Sequence, residues 1–138
     1  MAPAKSTPGS SDARRSLGRQ GEALAADYLI SQGYQILERN VRTLYGEIDL
    51  IACQPAGAPG VRSATLVFVE VKTRSSSAYG YPEESVTTSK QIHLIQSAQA
   101  YLQDHPEKAG DWRIDVIAVR ISRSGGKPEI KHFENAVH

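Results

Sequence analysis

One stretch constrains this chain more than any other: residues 66–74, with the sequence LVFVEVKTR. Its first half is β-branched and aromatic, which is typical of a strand buried on both faces. Because strand side chains alternate, Glu70 and Lys72 point to one face, while Val69 and Val71 point to the other. A carboxylate and an ammonium group near the end of a buried strand cost desolvation free energy unless they have partners. The remaining sequence must therefore supply those partners.

Periodicity and turn residues predict the other elements. An amphipathic helix is predicted over residues 17–32, with Gly33 as its stop. A second helix is predicted from Thr87 or Thr88 to about Gln103. Strands are predicted over residues 34–39, 47–52, 65–72 and 112–120, with a last edge strand over 128–133. This order, α-β-β-β-α-β(-β), predicts an α/β fold in which a mixed sheet of four to five strands is flanked by helices.

Length and composition predict one globular domain. The 138 residues are enough for a hydrophobic core, and 40% of them are apolar. Residues 1–16, rich in Ser, Pro and Ala, are predicted to be a flexible tail, which leaves residues 17–138 as a single domain. A single cysteine, Cys53, and the lack of a run of about 18–20 apolar residues predict a cytoplasmic protein without a membrane span. The net charge is only +1, so any nucleic-acid surface requires local clustering of Lys and Arg.

A second acidic side chain lies in the strand predicted over residues 47–52, EIDLIA. Asp49 is unusual there, because aspartate is disfavoured in strands. Alternation predicts one face formed by Glu47, Asp49 and Ile51, and another formed by Ile48, Leu50 and Ala52. A hairpin would pair this strand antiparallel with residues 65–72 and so bring Asp49 beside Glu70.

A third carboxylate, Glu22, lies at the margin of the buried stripe of the first helix. Gly18 and Gly21 cost that helix about 1 kcal/mol each relative to alanine, which indicates close approach of another backbone or a ligand. Close carboxylates repel each other, and a site built only from oxygen atoms favours Mg²⁺ or Mn²⁺. The predicted site comprises Glu22, Asp49, Glu70 and Lys72.

Such a set contains the groups that phosphodiester hydrolysis needs. A metal held by carboxylates can polarise a phosphate oxygen and lower the pKa of a bound water, and a nearby ammonium can stabilise developing negative charge. The alternative is a structural salt bridge in which Lys72 or an arginine pairs with Asp49 or Glu70. A separate ion pair, Arg113 with Asp115, is predicted to be structural because the two residues share a strand face.

Several cations are candidates for contact with phosphates. Lys90 is predicted in the first turn of the second helix, where the helix dipole disfavours it, which indicates another role. Tyr79 and Tyr81 are candidates for stacking on bases. The alternative for each cation is an ordinary surface residue. The candidate nucleic-acid contacts are Arg39, Arg42, Arg74 and Lys90, with Arg14, Arg15 and Arg19 before the first helix.

The paired motifs GEIDLIA, residues 46–52, and LVFVEVKTR, residues 66–74, resemble the YraN family of small bacterial proteins. The resemblance extends over about residues 17–119 and includes QGEALAADYL in the first helix, the RNVR step at residues 39–42 and the strand RIDVIAV. This family is grouped with the PD-(D/E)XK nuclease superfamily and is similar to archaeal Holliday-junction resolvases. The resemblance implies a restriction-endonuclease-like fold.

The same resemblance implies roles for particular residues. Asp49 and Glu70 would be metal ligands, Glu22 would complete the metal site, and Lys72 would be the catalytic lysine. Two departures from the superfamily pattern are Ile48, where a proline is expected before the aspartate, and a longer loop over residues 53–64, for which we have no role.

The sequence therefore predicts a Mg²⁺-dependent endonuclease that hydrolyses DNA phosphodiester bonds, with branched DNA as one candidate substrate. The resemblance also allows a homodimer. Two alternatives stay open at this point. One is a catalytically silent nucleic-acid-binding module of the same fold, and the other is a protein-interaction adaptor in which the carboxylates are structural.

Overall fold

A computed structural model describes residues 10–57, 59–75, 86–122 and 124–138 of the chain. The predicted order of helices and strands is confirmed, with five strands and a short 3₁₀ helix at Pro106–Lys108. The helices are α1 (Ser10–Ser31) and α2 (Thr88–Asp104), and the strands are β1 (Gln35–Thr43), β2 (Gly46–Gln54), β3 (Thr65–Ser75), β4 (Asp111–Ile121) and β5 (Glu129–Val137).

The five strands form one mixed sheet in the order β1-β2-β3-β4-β5. The pairs β1–β2, β2–β3 and β4–β5 are antiparallel, as short connections allow, so the predicted hairpin of β2 with β3 is confirmed. Strands β3 and β4 are parallel, and α2 provides the crossover between them. The sheet places β3 at its centre, where both edges of the strand are paired and its apolar run is buried.

One hydrophobic core lies on each face of the sheet. Ala25 and Leu29 of α1 pack on one face, and Leu94 and Ala98 of α2 pack on the other. Helix α1 approaches β3 closely at Gly21, where an added Cβ would lie 1.9 Å from the Thr73 hydroxyl oxygen. The predicted close approach is confirmed at Gly21, where the neighbour is β3, and is wrong at Gly18, where an added Cβ would have no atom within 4 Å.

The predicted faces of β2 require one correction. Leu50 and Ala52 belong to the core under α1, as expected of side chains that share a face. Ile48, however, packs with Ile51 in the core under α2. Residues three apart lie on opposite faces of a regular strand, so β2 rotates between these two positions. The pairing of β2 with β3 ends at Leu50 and Val69, so at Ile48 only the pairing with β1 constrains the strand.

Helix α1 begins at Ser10 rather than at residue 17, so residues 10–16 are helical, whereas residues 1–9 of the predicted tail lie outside the described residues. Helix α2 begins after Thr87, whose hydroxyl accepts the backbone N–H of Lys90 at 3.1 Å. Tyr79 and Tyr81 also lie outside the described residues. No helix in the described part of the chain is long and apolar enough to cross a bilayer.

A buried ion pair lies under α1. The predicted pair of Arg113 with Asp115 is present, with 2.9 Å between Nε and Oδ1. Burial alone would raise the pKa of Asp115, but hydrogen bonds from His132, Arg113 and the backbone N–H of Asn135 outweigh it and hold the pKa below its usual value. Arg113 also donates to the Tyr34 hydroxyl at 2.7 Å. This network joins β4 and β5 to the residues that follow α1 and is a structural feature of the core.

Candidate active site

The strands β2 and β3 separate at the position of Asp49. Their backbone pairing ends at Leu50 and Val69, and beyond it Asp49 Oδ2 accepts the backbone N–H of Val71 at 2.8 Å. The carboxylate thus satisfies a strand N–H beyond the end of the β2–β3 pairing, which is why an aspartate is tolerated in an otherwise apolar strand.

Glu70 lies between two lysines. Its side chain is only 6% exposed, and its Oε1 is 3.4 Å from Lys72 Nζ and 3.5 Å from Lys90 Nζ. The contact with Lys72 confirms that Glu70 and Lys72 share a face of β3. Lys90 reaches the same oxygen from the first turn of α2, which accounts for a cation at a position that the helix dipole disfavours. Both lysines offset the desolvation of the buried carboxylate.

The ionisation of Asp49 is strongly perturbed. Burial is the main cause, repulsion by Glu70 and then by Glu22 adds to it, and together they raise the pKa of Asp49 to about 7. The hydrogen bond from Val71 and the charge of Lys90 act in the opposite direction. The site therefore brings Asp49, Glu70 and Glu22 within electrostatic reach of one another, and it carries an excess of negative charge.

Glu22 joins the site from α1 together with two residues that sequence reasoning missed. When the Asn40 amide is oriented with its nitrogen towards the carboxylates, it donates to Glu22 Oε1 at 3.0 Å and to Glu47 Oε1 at 3.1 Å. Burial raises the pKa of Glu22, Glu47 and Glu70 raise it further, and the Asn40 hydrogen bond and the charge of Arg19 lower it. Asn40 falls inside the RNVR step, and Glu47 directly follows Gly46, so the motifs contained both residues without revealing their contacts.

The candidate nucleic-acid contacts lie on three elements, α2, β1 and β3. Lys90 is already paired with Glu70 but keeps 40% of its side chain exposed. Arg42 lies on the surface of β1, and its guanidinium is 3.8 Å from Glu47. Arg39 is exposed on β1 next to Asn40, while Arg74 is half-buried on β3 and donates to the carbonyl of Thr73 at 3.4 Å. Cations from β1, β3 and α2 thus lie near the end of the sheet that carries the carboxylates.

The donor set suits a hard divalent cation by its chemistry. It consists only of carboxylate oxygens, and the pKa of Asp49 is raised by burial first and by the repulsion of Glu70 and Glu22 second, a repulsion that such a cation would relieve. Within residues 10–57, 59–75, 86–122 and 124–138, no three His, Cys, Asp or Glu side chains converge closely enough to form a metal site as they stand. Joint ligation by Glu22, Asp49 and Glu70 therefore requires side-chain rotation.

Fold and site together define a class of small α/β protein, in which a central strand carries a buried glutamate between two lysines and beside an aspartate. The family model described as "Uncharacterised protein family UPF0102" matches residues 21–119. The chain belongs to this family, also called the YraN family, which confirms the family indicated by the sequence motifs.

Similar proteins from several bacteria cover nearly the whole chain. A UPF0102 protein of Syntrophotalea carbinolica is 45% identical over 123 residues, which are 89% of this chain and 92% of that protein. A UPF0102 protein of Mycobacterium tuberculosis is 46% identical over 123 residues, covering 88% and 91% of the two chains. A third, from Desulforamulus reducens, is 44% identical over 125 residues, covering 90% and 97%.

Proposed function

We propose that this protein is a metal-dependent endonuclease that hydrolyses phosphodiester bonds of DNA. The observation that carries the proposal is the buried Glu70, held between Lys72 and Lys90 and within electrostatic reach of Asp49 and Glu22. A purely structural salt bridge needs one cation per carboxylate and no second or third acidic group beside it. A site for a divalent cation needs several carboxylates together, despite their repulsion.

Each residue of the site has a defined part in this reaction. Asp49, Glu70 and Glu22 would hold Mg²⁺ or Mn²⁺, and Asp49 is already oriented by its hydrogen bond to Val71. A bound Mg²⁺ supplies charge neutralisation at a phosphate and a more acidic water. The side chain of Lys72 is only 22% exposed, so its ammonium can stabilise negative charge developing on the phosphate with little screening by solvent.

The surface around the site supplies cations for the sugar–phosphate backbone. Helix α1 continues past Gly21, where it contacts β3, towards its start at Ser10. Arg15 and Arg19 are exposed on this segment, and Arg15 precedes Glu22 by two helical turns, so it lies on the same helix face. The proposed DNA contacts are Arg39, Arg42, Arg74 and Lys90, extended by these two arginines.

Branched DNA and a homodimer are parts of the same proposal that rest on resemblance to resolvases, while the proposed cytoplasmic location rests on the single cysteine and the lack of a long apolar run. Symmetric cutting of a branched junction requires two active sites, which a homodimer provides. Leu44 and Tyr45, at the tip of the β1–β2 hairpin, are exposed large hydrophobic residues that a second copy would cover. Sedimentation velocity with and without a four-way junction measures this stoichiometry.

The test of the proposal measures cation binding and cleavage together. Mn²⁺ is titrated calorimetrically into wild type and Asp49→Asn, and both are assayed on linear, flapped and four-way DNA. Asp111→Asn is the matched control. Asp111 is an exposed aspartate on β4 and pairs with Thr65, which lies at the end of β3 farther from Glu70 and Lys72. Loss of an outer-shell partner of a metal ligand lowers metal affinity by about 10–100-fold, and Asp49→Asn, which removes a ligand, should lower Mn²⁺ affinity by more than that. Asp111→Asn should leave the Mn²⁺ affinity unchanged. A wild type that neither binds Mn²⁺ nor cleaves any of the three substrates would refute the proposal.

One observation favours a second function, a DNA-binding module without turnover. In the described part of the chain, the carboxylates do not converge as a ready metal site, and two lysines already neutralise Glu70. This function predicts salt-dependent DNA binding that Arg39→Ala weakens and Asp49→Asn leaves intact. Filter binding over a range of ionic strengths separates the two functions, and a protein that retains no DNA would be neither.

A further inference from the structure

Asn40 lies on β1 between acidic side chains that two other elements contribute. It lies on β1 between Arg39, which pairs with Leu50, and Val41, which pairs with Ile48, so it stands across from Asp49. Its amide nitrogen donates to Glu22 on α1 and to Glu47 on β2. We propose that Asn40 is a positioning residue that holds Glu22 towards the metal site, a role that rests on the endonuclease function proposed above.

The choice of an amide at this position has a physical reason. Glu22 and Glu47 repel each other, and a side-chain NH₂ has two hydrogens, one for each carboxylate. A lysine or arginine at the same place would also bridge the two, but its charge would compete with a divalent cation for Glu22. Asparagine fixes the direction of the carboxylate and leaves its negative charge intact, as hydrogen-bonding partners of metal ligands generally do.

The backbone supports a side-chain role for Asn40. Its φ of +52° lies in the left-handed region, which glycine adopts without strain and asparagine tolerates better than most residues. Glycine would therefore satisfy the backbone with less strain, so the backbone alone does not select an amide side chain at this position. Asn135 on β5 has almost the same conformation, with φ of +50°, and its backbone N–H donates to Asp115 rather than to any residue of the site.

These two asparagines provide a matched pair of variants. Asn40→Gly and Asn135→Gly each remove one amide from a left-handed position and relieve the same backbone strain. Mn²⁺ alone is the probe, with its affinity measured by calorimetry and by the electron paramagnetic resonance signal of the free ion. Asn40→Gly should weaken Mn²⁺ affinity by about 10-fold or more with no fall in Tm, and Asn135→Gly should leave the affinity unchanged.

A double-mutant cycle tests whether Asn40 acts through Glu22. If it does, Asn40→Gly combined with Glu22→Gln should bind Mn²⁺ no more weakly than Glu22→Gln alone. Fully additive losses, or an Asn40→Gly affinity within twofold of wild type, would overturn the positioning role while leaving the endonuclease function standing. A wild type that does not bind Mn²⁺ would overturn both.

Discussion

Replacing Gly21 with alanine tests the contact that docks α1 on the sheet. The new Cβ would lie 1.9 Å from Thr73 Oγ1 and 2.8 Å from Thr73 Cβ. The hydroxyl can rotate away, but the Cβ of Thr73 moves only with the backbone, so α1 or β3 must shift. Gly18, on the same helix, has no atom within 4 Å of the corresponding position. The two replacements therefore add the same methyl group, once against β3 and once into open space.

The expected difference between the two variants follows from two opposing terms. Alanine stabilises a helix interior by about 1 kcal/mol relative to glycine, and this gain applies to both Gly18→Ala and Gly21→Ala. Overpacking costs about 1–3 kcal/mol and applies only at Gly21. An unfolding entropy of about 2.1 cal/mol/K per residue, summed over 138 residues, converts this difference to about 3–10 °C in Tm.

Differential scanning calorimetry of the two variants and wild type measures the difference. Gly18→Ala should melt above wild type, and Gly21→Ala should melt below Gly18→Ala by the stated amount. Displacement of α1 also moves the adjacent Glu22, so Gly21→Ala should weaken Mn²⁺ binding, whereas Gly18→Ala should not. Equal Tm values for the two variants would refute the close packing of α1 on Thr73, and with it the reason for placing Glu22 at this end of the sheet.

Three further predictions concern other parts of the molecule. Asp115→Asn should lower the free energy of unfolding by about 3–5 kcal/mol at neutral pH, because the buried guanidinium of Arg113 loses its counter-charge. Urea denaturation measures this change, and a loss below about 1 kcal/mol would contradict the prediction. Since the folded-state pKa of Asp115 is lowered, Asp115 contributes to the free energy of unfolding above its unfolded-state pKa of about 3.9, and this contribution is lost as pH falls through the folded-state pKa. The Asp115→Asn variant should lack this loss of stability at acidic pH. Lys72→Met should abolish cleavage in single-turnover assays without weakening Mn²⁺ binding, and retained cleavage would exclude the ammonium from the reaction. Replacing both Arg15 and Arg19 with alanine should make the dependence of the logarithm of the DNA-binding constant on the logarithm of salt concentration shallower by about 0.9 per phosphate contact. The control is Arg62→Ala, a change in the exposed β2–β3 loop, which should leave this slope unchanged. Equal slopes for the double variant and wild type would exclude α1 from the interface.

The sequence predicted those parts of the site that follow from regular strand geometry. Glu70 and Lys72 share a face because β3 stays paired with β4 from Thr65 to Ser75, beyond the end of its pairing with β2, and its side chains alternate strictly. The same rule failed for Ile48, which lies outside the β2–β3 pairing that begins at Leu50, because β2 rotates between Ile48 and Ile51.

Other features depend on contacts that no local pattern encodes. The role of Asn40 arises from a left-handed backbone and from two carboxylates on α1 and β2, none of which is visible in the residues around it. Helix α1 starts at Ser10 although residues 13–16 are exposed, so no apolar stripe signals this first part of the helix. The partner of Lys90 was likewise hidden, because its contact with Glu70 requires α2 to cross over the sheet.

The hydrogen bond between Asp49 and Val71 has a consequence for the entropy of ligand binding. Immobilising a flexible side chain on binding costs about 0.5–1.5 kcal/mol. Asp49 has already lost that freedom during folding, because one carboxylate oxygen is fixed by the N–H of Val71 on β3. The folding reaction, rather than the binding reaction, bears this ordering cost, and the proposed cation would meet one carboxylate whose direction is already set.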